Sequence, residues 1–203
     1  MIGVNGMENK TNASAYFKST FIAPLAKWRS IFVLVSLAML TGLQVVLSRF
    51  LSIETPFFKV GFGFVPVMIA GGMFGPVGGL IVGGVSDLVG AILFPFGAYF
   101  PGYTLTAAFS GLVYGWLLYR RPSVFRIVIA YLITALTVTL GFNTLFSILL
   151  YVKSDKPFYA KYFAYISPRL LQAGIMLVVQ TALTYLLLNR LNLVSRIEQA
   201  IKH

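Results

Sequence analysis

The chain has 203 residues, of which 58% are hydrophobic and 10% charged, and a formal net charge of +11. Soluble domains carry about 25% charged residues, so this chain has too few polar side chains for a water-facing surface, which excludes soluble enzymes and nucleic-acid binders. It contains no cysteine and its only histidine is His203, so disulfides, thiolate chemistry and buried histidine ligands are excluded as well.

Six apolar segments are long enough to cross the ~30 Å hydrocarbon core of a bilayer as helices. The predicted spans are residues 30–50, 57–74, 76–94, 103–119, 124–152 and 163–189. Arg29 and Arg49 frame the first of them, about one hydrocarbon thickness apart. We therefore predict an all-α membrane protein whose residues 29–190 form one bundle of six transmembrane helices.

The two ends of the chain are predicted to flank this bundle on one side. Residues 1–28 lack the short apolar core of a cleavable signal peptide and form an interfacial helix or a partly ordered tail, and residues 191–203 form a basic tail. Ten of the 16 Lys and Arg residues fall on the side of the termini. The positive-inside rule therefore predicts cytoplasmic termini in a multi-pass protein of the cell membrane.

Glycine and proline are concentrated in the middle of the chain. Residues 71–79 (GGMFGPVGG) predict a very tight turn between the second and third spans. Small residues spaced four apart, at positions 79 and 83 and again at 111 and 115, predict faces on which two helices approach closely.

The segment 94–104 (FPFGAYFPGYT) follows the third span. Its two prolines and two glycines exclude a continuous helix. An interfacial aromatic belt accounts for part of its aromatic content, whereas a rigid loop that covers a flat ligand accounts for more of it. The candidate ligand-contacting residues of this region are Phe94, Phe96, Gly97, Tyr99, Phe100 and Tyr103.

Polar residues inside the spans are few. Asp87 is predicted to have a structural or ligand-facing hydrogen-bonding role, since no second intramembrane acid or histidine continues a proton relay. Asn143 can donate and accept on one edge, which suits a fused heterocycle or, alternatively, an interhelical hydrogen bond.

Six cations fall on the side opposite the termini, more than the positive-inside rule leads us to expect. They could collect an anion before it enters the bundle, or they could be solvated loop charges. The candidates for anion binding are Arg49, Lys59, Lys161 and Arg169, with Lys153 and Lys156 as the other two cations of this side.

Motifs for catalysis or for energy coupling are absent from the sequence. It has no nucleophile elbow, no zinc-protease motif, no acidic metal cluster and no phosphate-binding loop. We therefore expect a binding subunit that is not an enzyme, carries no cofactor or metal, and takes its energy from separate subunits.

Several motifs give the chain a resemblance to a known family. Residues 94–108 (FPFGAYFPGYTLTAA), 111–115 (GLVYG), 62–66 (FGFVP) and the pair Gly75-Pro76, with weaker matches at Asn143 and at residues 168–170, resemble the folate family of substrate-binding S components of energy-coupling factor (ECF) vitamin transporters of bacteria. The similarity covers residues 28–189, most of the chain. Other ligands of this group, such as pantothenate, riboflavin or another pterin-like compound, remain alternatives.

The resemblance implies a mechanism and partners. Such S components are six-helix proteins of the bilayer that bind a vitamin near the outer face and dock onto a transmembrane scaffold subunit that carries two ABC ATPases. Rotation of the S component in the membrane then delivers the vitamin. The family docks through an Ala-x-x-x-Ala pattern on its first helix, for which this chain has Ala38 and Gly42 with Ser36 nearby. A stand-alone ion-coupled carrier is the less favoured alternative, and a membrane enzyme or structural subunit is a third.

Overall fold

The computed structural model of the chain describes residues 18–22, 30–54, 59–95, 99–119, 123–152 and 157–190. Residues Lys18–Ile22 form one turn of π-helix. The rest of the predicted N-terminal segment and the whole predicted basic tail, 191–203, lie outside the described residues. The described part is almost entirely helical, which confirms the predicted fold class.

The first half of the described chain contains one helix, a short β-hairpin and two further helices. Their bounds are α1 (Ile31–Arg49), β1 (Ser52–Glu54), β2 (Lys59–Gly61), α2 (Phe64–Leu93) and α3 (Pro101–Leu118). The second half contains a long interrupted helix and a last helix. Their bounds are α4 (Val124–Thr134), a π-helical stretch (Ala135–Phe142), α5 (Asn143–Tyr151), α6 (Phe158–Tyr185) and a π-helical end (Leu186–Arg190).

The β-hairpin was not predicted. β1 and β2 pair antiparallel, with Ser52 opposite Gly61 and Ile53 opposite Val60. The predicted start of the second span at Phe57 is therefore wrong, because residues 59–61 form a strand and the helix begins at Phe64. Hydropathy averaged over a span cannot distinguish a short apolar strand from the first turn of an apolar helix. α6 begins at Phe158, before the predicted start at Phe163, because the prediction counted only the apolar run that follows Lys161.

The predicted tight turn lies within α2 at Gly75, which adopts φ 80° and ψ −173° immediately before Pro76. In a straight helix, residues eight positions apart are separated by about 12 Å along the axis. Here a Cβ built on Gly79 would lie 3.2 Å from the Cα of Gly71, eight residues earlier. The helix therefore folds back on itself at Gly75, and its two arms correspond to the predicted second and third spans.

Glycines bring α2 and α3 into backbone contact, as the spacing of small residues predicted. A Cβ on Gly71 would lie 2.7 Å from the backbone nitrogen of Gly115, and one on Gly83 would lie 2.5 Å from the carbonyl oxygen of Ala107. Gly79 and Gly111 likewise leave no room for a side chain on either helix. This close approach makes α2 and α3 the rigid wall against which the other helices pack.

Buried apolar side chains from several helices complete the core, among them Val33 and Leu37 of α1 and Ile127 of α4. The remaining faces expose large apolar side chains, such as Met39 on α1 and Leu171 on α6. By length and composition alone, and with the two arms of α2 counted as one stretch, four helical stretches of the described residues could cross a membrane: Ile31–Arg49, Phe64–Leu93, Val124–Leu150 and Phe158–Leu188. The count of six spans and the side of the termini stay predictions.

Candidate functional site

The helices enclose a cavity of about 900 Å³. Side chains from α1 to α6 line it, and so do Ser52 and Gly61 of the β-hairpin. We call the end of the cavity next to Ser52 and Gly61 the hairpin end, and the end next to Tyr114 and Gln180 the deep end. A space of this size is in the range of small-molecule binding sites.

The structure brings most of the predicted site residues together in this cavity. Those that line it are Arg49, Tyr99, Phe100, Tyr103, Asn143 and Arg169. Phe94 and Lys161 are not among the lining residues; the Phe94 ring packs edge-on against Phe50 with a centroid distance of 5.2 Å. Lys59 is described only as a backbone position in β2, and Phe96 and Gly97 lie outside the described residues.

Arg169 is the most deeply buried charge in the cavity wall, with 7% of its surface exposed. Its Nη1 donates to the hydroxyl of Thr144 at 2.8 Å and its Nη2 donates to that of Ser147 at 2.7 Å. These acceptors carry no charge, so they orient the guanidinium without neutralising it. An oriented guanidinium in a cavity wall is a strong site for a carboxylate, which it can bind through two parallel hydrogen bonds.

The π-helical stretch before α5 helps to hold Arg169. The carbonyl oxygen of Thr139 accepts from Arg169 Nη1 at 3.3 Å and from the hydroxyl of Thr144, five residues later, at 2.9 Å. The next carbonyl, of Leu140, accepts from the hydroxyl of Tyr162 at 2.8 Å. Widened helical turns leave carbonyl groups free for such bonds and recur at functional sites, and this one ties α6 to the helix opposite it.

Aromatic rings form the wall near the start of α3. Phe146 of α5 packs edge-on against Phe100 and Tyr103, with centroid distances of 4.9 and 5.7 Å. The hydroxyl of Tyr103 also bonds with that of Ser147 at 3.2 Å, which links the aromatic wall to the partner of Arg169. The prediction did not include Phe146, because its place in an apolar span does not distinguish it from a lipid-facing residue.

Asn143, Thr106 and Tyr103 form one polar group beside this wall. The Thr106 hydroxyl lies 2.9 Å from both Asn143 Oδ1 and the carbonyl oxygen of Tyr103, and it shares its one proton between these two acceptors. The side-chain amide N–H₂ of Asn143 is therefore the end of this residue that suits an acceptor on a ligand.

Asp87 and Arg49 lie at the hairpin end of the cavity. The Thr104 hydroxyl donates to Asp87 Oδ2 at 2.7 Å, and the Tyr99 hydroxyl lies 3.1 Å from the Thr104 oxygen. The Arg49 guanidinium packs on Gly90, where a Cβ would lie 2.8 Å from Nε. Glycine at position 90 thus makes room for the arginine, a role that the sequence did not reveal.

The deep end of the cavity has a polar floor. Gln180 Nε2 donates to the hydroxyl of Tyr114 at 2.7 Å, and that hydroxyl lies 2.8 Å from the hydroxyl of Thr134. Gln180 is 3% exposed. The three side chains thus satisfy one another's hydrogen-bonding groups across three helices. In the sequence, only Gln180, an amide residue within the last apolar span, indicated a polar group here.

On the outside of the bundle, α1 carries the predicted docking residues. Ala38 and Gly42 are exposed, and a Cβ on Gly42 would meet no atom within 4 Å. Ser36 is half-buried. Ala38 and Gly42 lie one helical turn apart, so they form a shallow site on one face of α1.

Comparisons with known proteins agree with this architecture. Residues 32–188 match the family model described as ECF transporter, substrate-specific component. The chain is 38% identical to the folate transporter FolT of Clostridium novyi (strain NT) over 154 residues, 75% of this chain and 86% of that protein. It is 32% identical to the folate transporter FolT of Leuconostoc mesenteroides subsp. mesenteroides over 186 residues, 90% of this chain and 93% of that protein.

A solved structure is also similar. It is a crystal structure of FolT bound with folic acid, which superimposes with a TM-score of 0.70 at 31% sequence identity and covers 79% of this chain and 95% of that chain.

Proposed function

The chain belongs to the family of substrate-specific components of ECF transporters, and from this premise we propose that it binds folate in the cavity between its helices. Proteins of this family are transport subunits of the cell membrane and not enzymes. The observation that carries the proposal is the buried, hydroxyl-oriented guanidinium of Arg169 in a cavity that also presents aromatic rings and the amide of Asn143.

Folate has three parts that such a cavity suits. It combines a flat pterin, an aminobenzoyl ring and an anionic glutamate tail. The aromatic wall of Phe100 and Tyr103 offers faces and edges for the rings. Arg169 and Arg49 offer charge for the carboxylates, and the amide of Asn143 offers hydrogen bonds to a heterocycle. The two relatives, both named as folate transporters, and the folic acid complex support this ligand.

Transport is proposed to require further subunits. The protein would dock onto a transmembrane scaffold that carries two ABC ATPases and reorient in the membrane to deliver folate to the cytoplasm. The exposed Ala38 and Gly42 support α1 as the docking helix, because a partner helix could approach its backbone closely there. We also expect Ser36, on the same helix, to lie at this interface.

The proposal is tested by the ligand and the partners of the purified protein. We expect folate to be identified by mass spectrometry in protein purified from folate-containing medium, and titrated folate to saturate one site. Pantothenate and riboflavin are the matched competitors, and displacement of folate by either at equal concentration would contradict the assignment.

Transport is tested separately in proteoliposomes. We expect no folate uptake by the chain alone under any ion gradient, and ATP-dependent uptake when the scaffold and both ATPases are added. Gradient-driven uptake by the chain alone would instead support the secondary-carrier alternative and refute the docking proposal.

A further inference from the structure

We propose that the carboxylate of Asp87 determines ligand specificity by accepting two adjacent N–H donors of a ligand, as on the 2-amino-4-oxopyrimidine edge of a pterin. This inference rests on the proposed function and assigns a role to the acid at the hairpin end of the cavity.

Two hydroxyl groups orient the carboxylate. The Thr104 hydroxyl donates its single proton to Asp87 Oδ2 at 2.7 Å, so it must act as the acceptor toward the Tyr99 hydroxyl 3.1 Å away. The chain of bonds therefore runs from Tyr99 through Thr104 to Asp87, and each group in it has a defined direction. An ionised carboxylate offers about four acceptor sites, so one bond from Thr104 leaves most of its capacity for a ligand.

The other polar groups of the cavity do not offer a charged acceptor, although the neutral amide oxygen of Gln44 also lines the cavity and accepts no hydrogen bond from the described residues. Among the described residues that line the cavity, Asp87 is the one carboxylate. Arg169 is a donor only, and the oxygen of Asn143 already accepts from Thr106. Tyr114 at the deep end bonds with Gln180 and Thr134. A ligand edge that consists of donors therefore finds its strongest partner at Asp87.

Asp87 and Asn143 lie on opposite sides of α3. Their partners Thr104 and Thr106 are two residues apart on that helix, so the two threonine side chains leave the helix axis in directions that differ by about 200°. Tyr103 and Ala107 line the cavity between these two directions. A flat bicyclic ring lying across α3 would meet an acceptor at one edge and the amide donor of Asn143 at the other.

This arrangement selects between heterocycles. The pterin edge presents N3–H and the 2-amino group side by side, which matches the two oxygens of a carboxylate. The corresponding edge of a flavin presents one N–H between two carbonyl oxygens, which a carboxylate repels. Leaving a charged acceptor unpaired or facing another acceptor is costly, so Asp87 favours pterins over flavins.

The test compares folic acid with its 2-desamino analogue, in which hydrogen replaces the 2-amino group. Dissociation constants are measured by calorimetry on detergent-solubilised protein. We expect the wild-type protein to prefer folic acid by roughly 10- to 100-fold, and Asp87→Asn, which keeps the shape and the Thr104 bond but loses the charge, to reduce that preference to about threefold. Ser86→Ala is the control, because Ser86 is buried next to Asp87 and bonds to Gly83 of its own helix.

The outcomes separate this inference from the proposed function. Failure of the wild-type protein to bind folic acid would refute the proposed function and the role of Asp87 with it. Equal wild-type affinity for both ligands, a comparison that needs no substitution, would refute the role of Asp87 alone. An equal loss of affinity for both ligands in Asp87→Asn would also overturn it, since a merely structural carboxylate gives that result.

Discussion

Replacing Arg169 tests the anion site most directly. Arg169→Gln removes the charge and the guanidinium fork, whereas Arg169→Lys keeps the charge but not the fork. The wild-type side chain is held by Thr144 and Ser147 at 2.8 and 2.7 Å, so little ordering is needed when a carboxylate arrives. Two charge-assisted hydrogen bonds contribute about 3 kcal/mol together, which corresponds to about a 100-fold loss of affinity in Arg169→Gln and about tenfold in Arg169→Lys.

The local structure is expected to tolerate the loss. The Thr144 and Ser147 hydroxyls also donate to the backbone carbonyls of Thr139 and Asn143 at 2.9 and 2.7 Å. Removal of Arg169 therefore leaves the hydrogen bonds that these hydroxyls donate and takes away only the hydrogen bonds that they accept from the guanidinium. We expect a cost of about 1–3 kcal/mol in unfolding free energy, visible as a lower melting temperature of a still monodisperse protein.

The assay pairs the variants with a modified ligand. Affinity is measured for folate and for its diamide, in which both glutamate carboxylates are amidated. The affinity of the wild-type protein should be about 100-fold lower for the diamide than for folate. For Arg169→Gln the difference should be no more than about threefold, because the partner of the carboxylate is already gone. Lys161→Gln is the matched control: it removes a cation from the same helix that does not line the cavity. If amidation costs the wild-type protein and Arg169→Gln the same factor, Arg169 does not bind the tail.

Three further predictions concern other parts of the molecule. Asn143→Ala should weaken folate binding in titrations of purified protein about tenfold more than Lys153→Ala, and equal affinities would contradict the role of the amide. Gly75→Ala should lower the melting temperature through about 1–3 kcal/mol of strain, because φ 80° with ψ −173° is a backbone conformation that essentially only glycine adopts, whereas an unchanged melting temperature would mean that the turn tolerates a side chain. Gly42→Leu should retain folate affinity but abolish uptake with the ATPase module, and normal uptake would exclude this face of α1 from docking.

Local sequence features predicted much of the architecture. The scarcity of charge requires a bilayer, because an apolar surface of this extent is not stable in water. The turn at Gly75 could be predicted because only glycine adopts a positive φ at little cost and because Pro76 cannot continue a regular helix. The glycines at positions 79 and 111 predicted faces on which two helices approach closely, since such a contact needs small residues, and the structure shows that these two faces meet each other.

The composition of the candidate site was also largely predictable. Arg49, Asn143 and Arg169 are polar residues in or next to apolar spans, where an ionisable or amide side chain is costly unless it has a function. Their common place around one cavity could not be deduced from that cost. Lys161 is likewise a cation next to an apolar span, and Phe94 belongs to the same aromatic segment as Tyr99, yet the cavity includes neither Lys161 nor Phe94.

Only the tertiary structure established which polar groups meet. The bonds from Arg169 to Ser147, from Thr104 to Asp87 and from Gln180 to Tyr114 join residues 22, 17 and 66 positions apart. Hydropathy and helical periodicity describe one element at a time, and they contain no information about which faces of different helices pack together. The sequence by itself therefore determined a helical membrane protein and indicated cationic and aromatic residues as candidates for its site. The packing of the helices decided which hydrogen-bond donors and acceptors face one another.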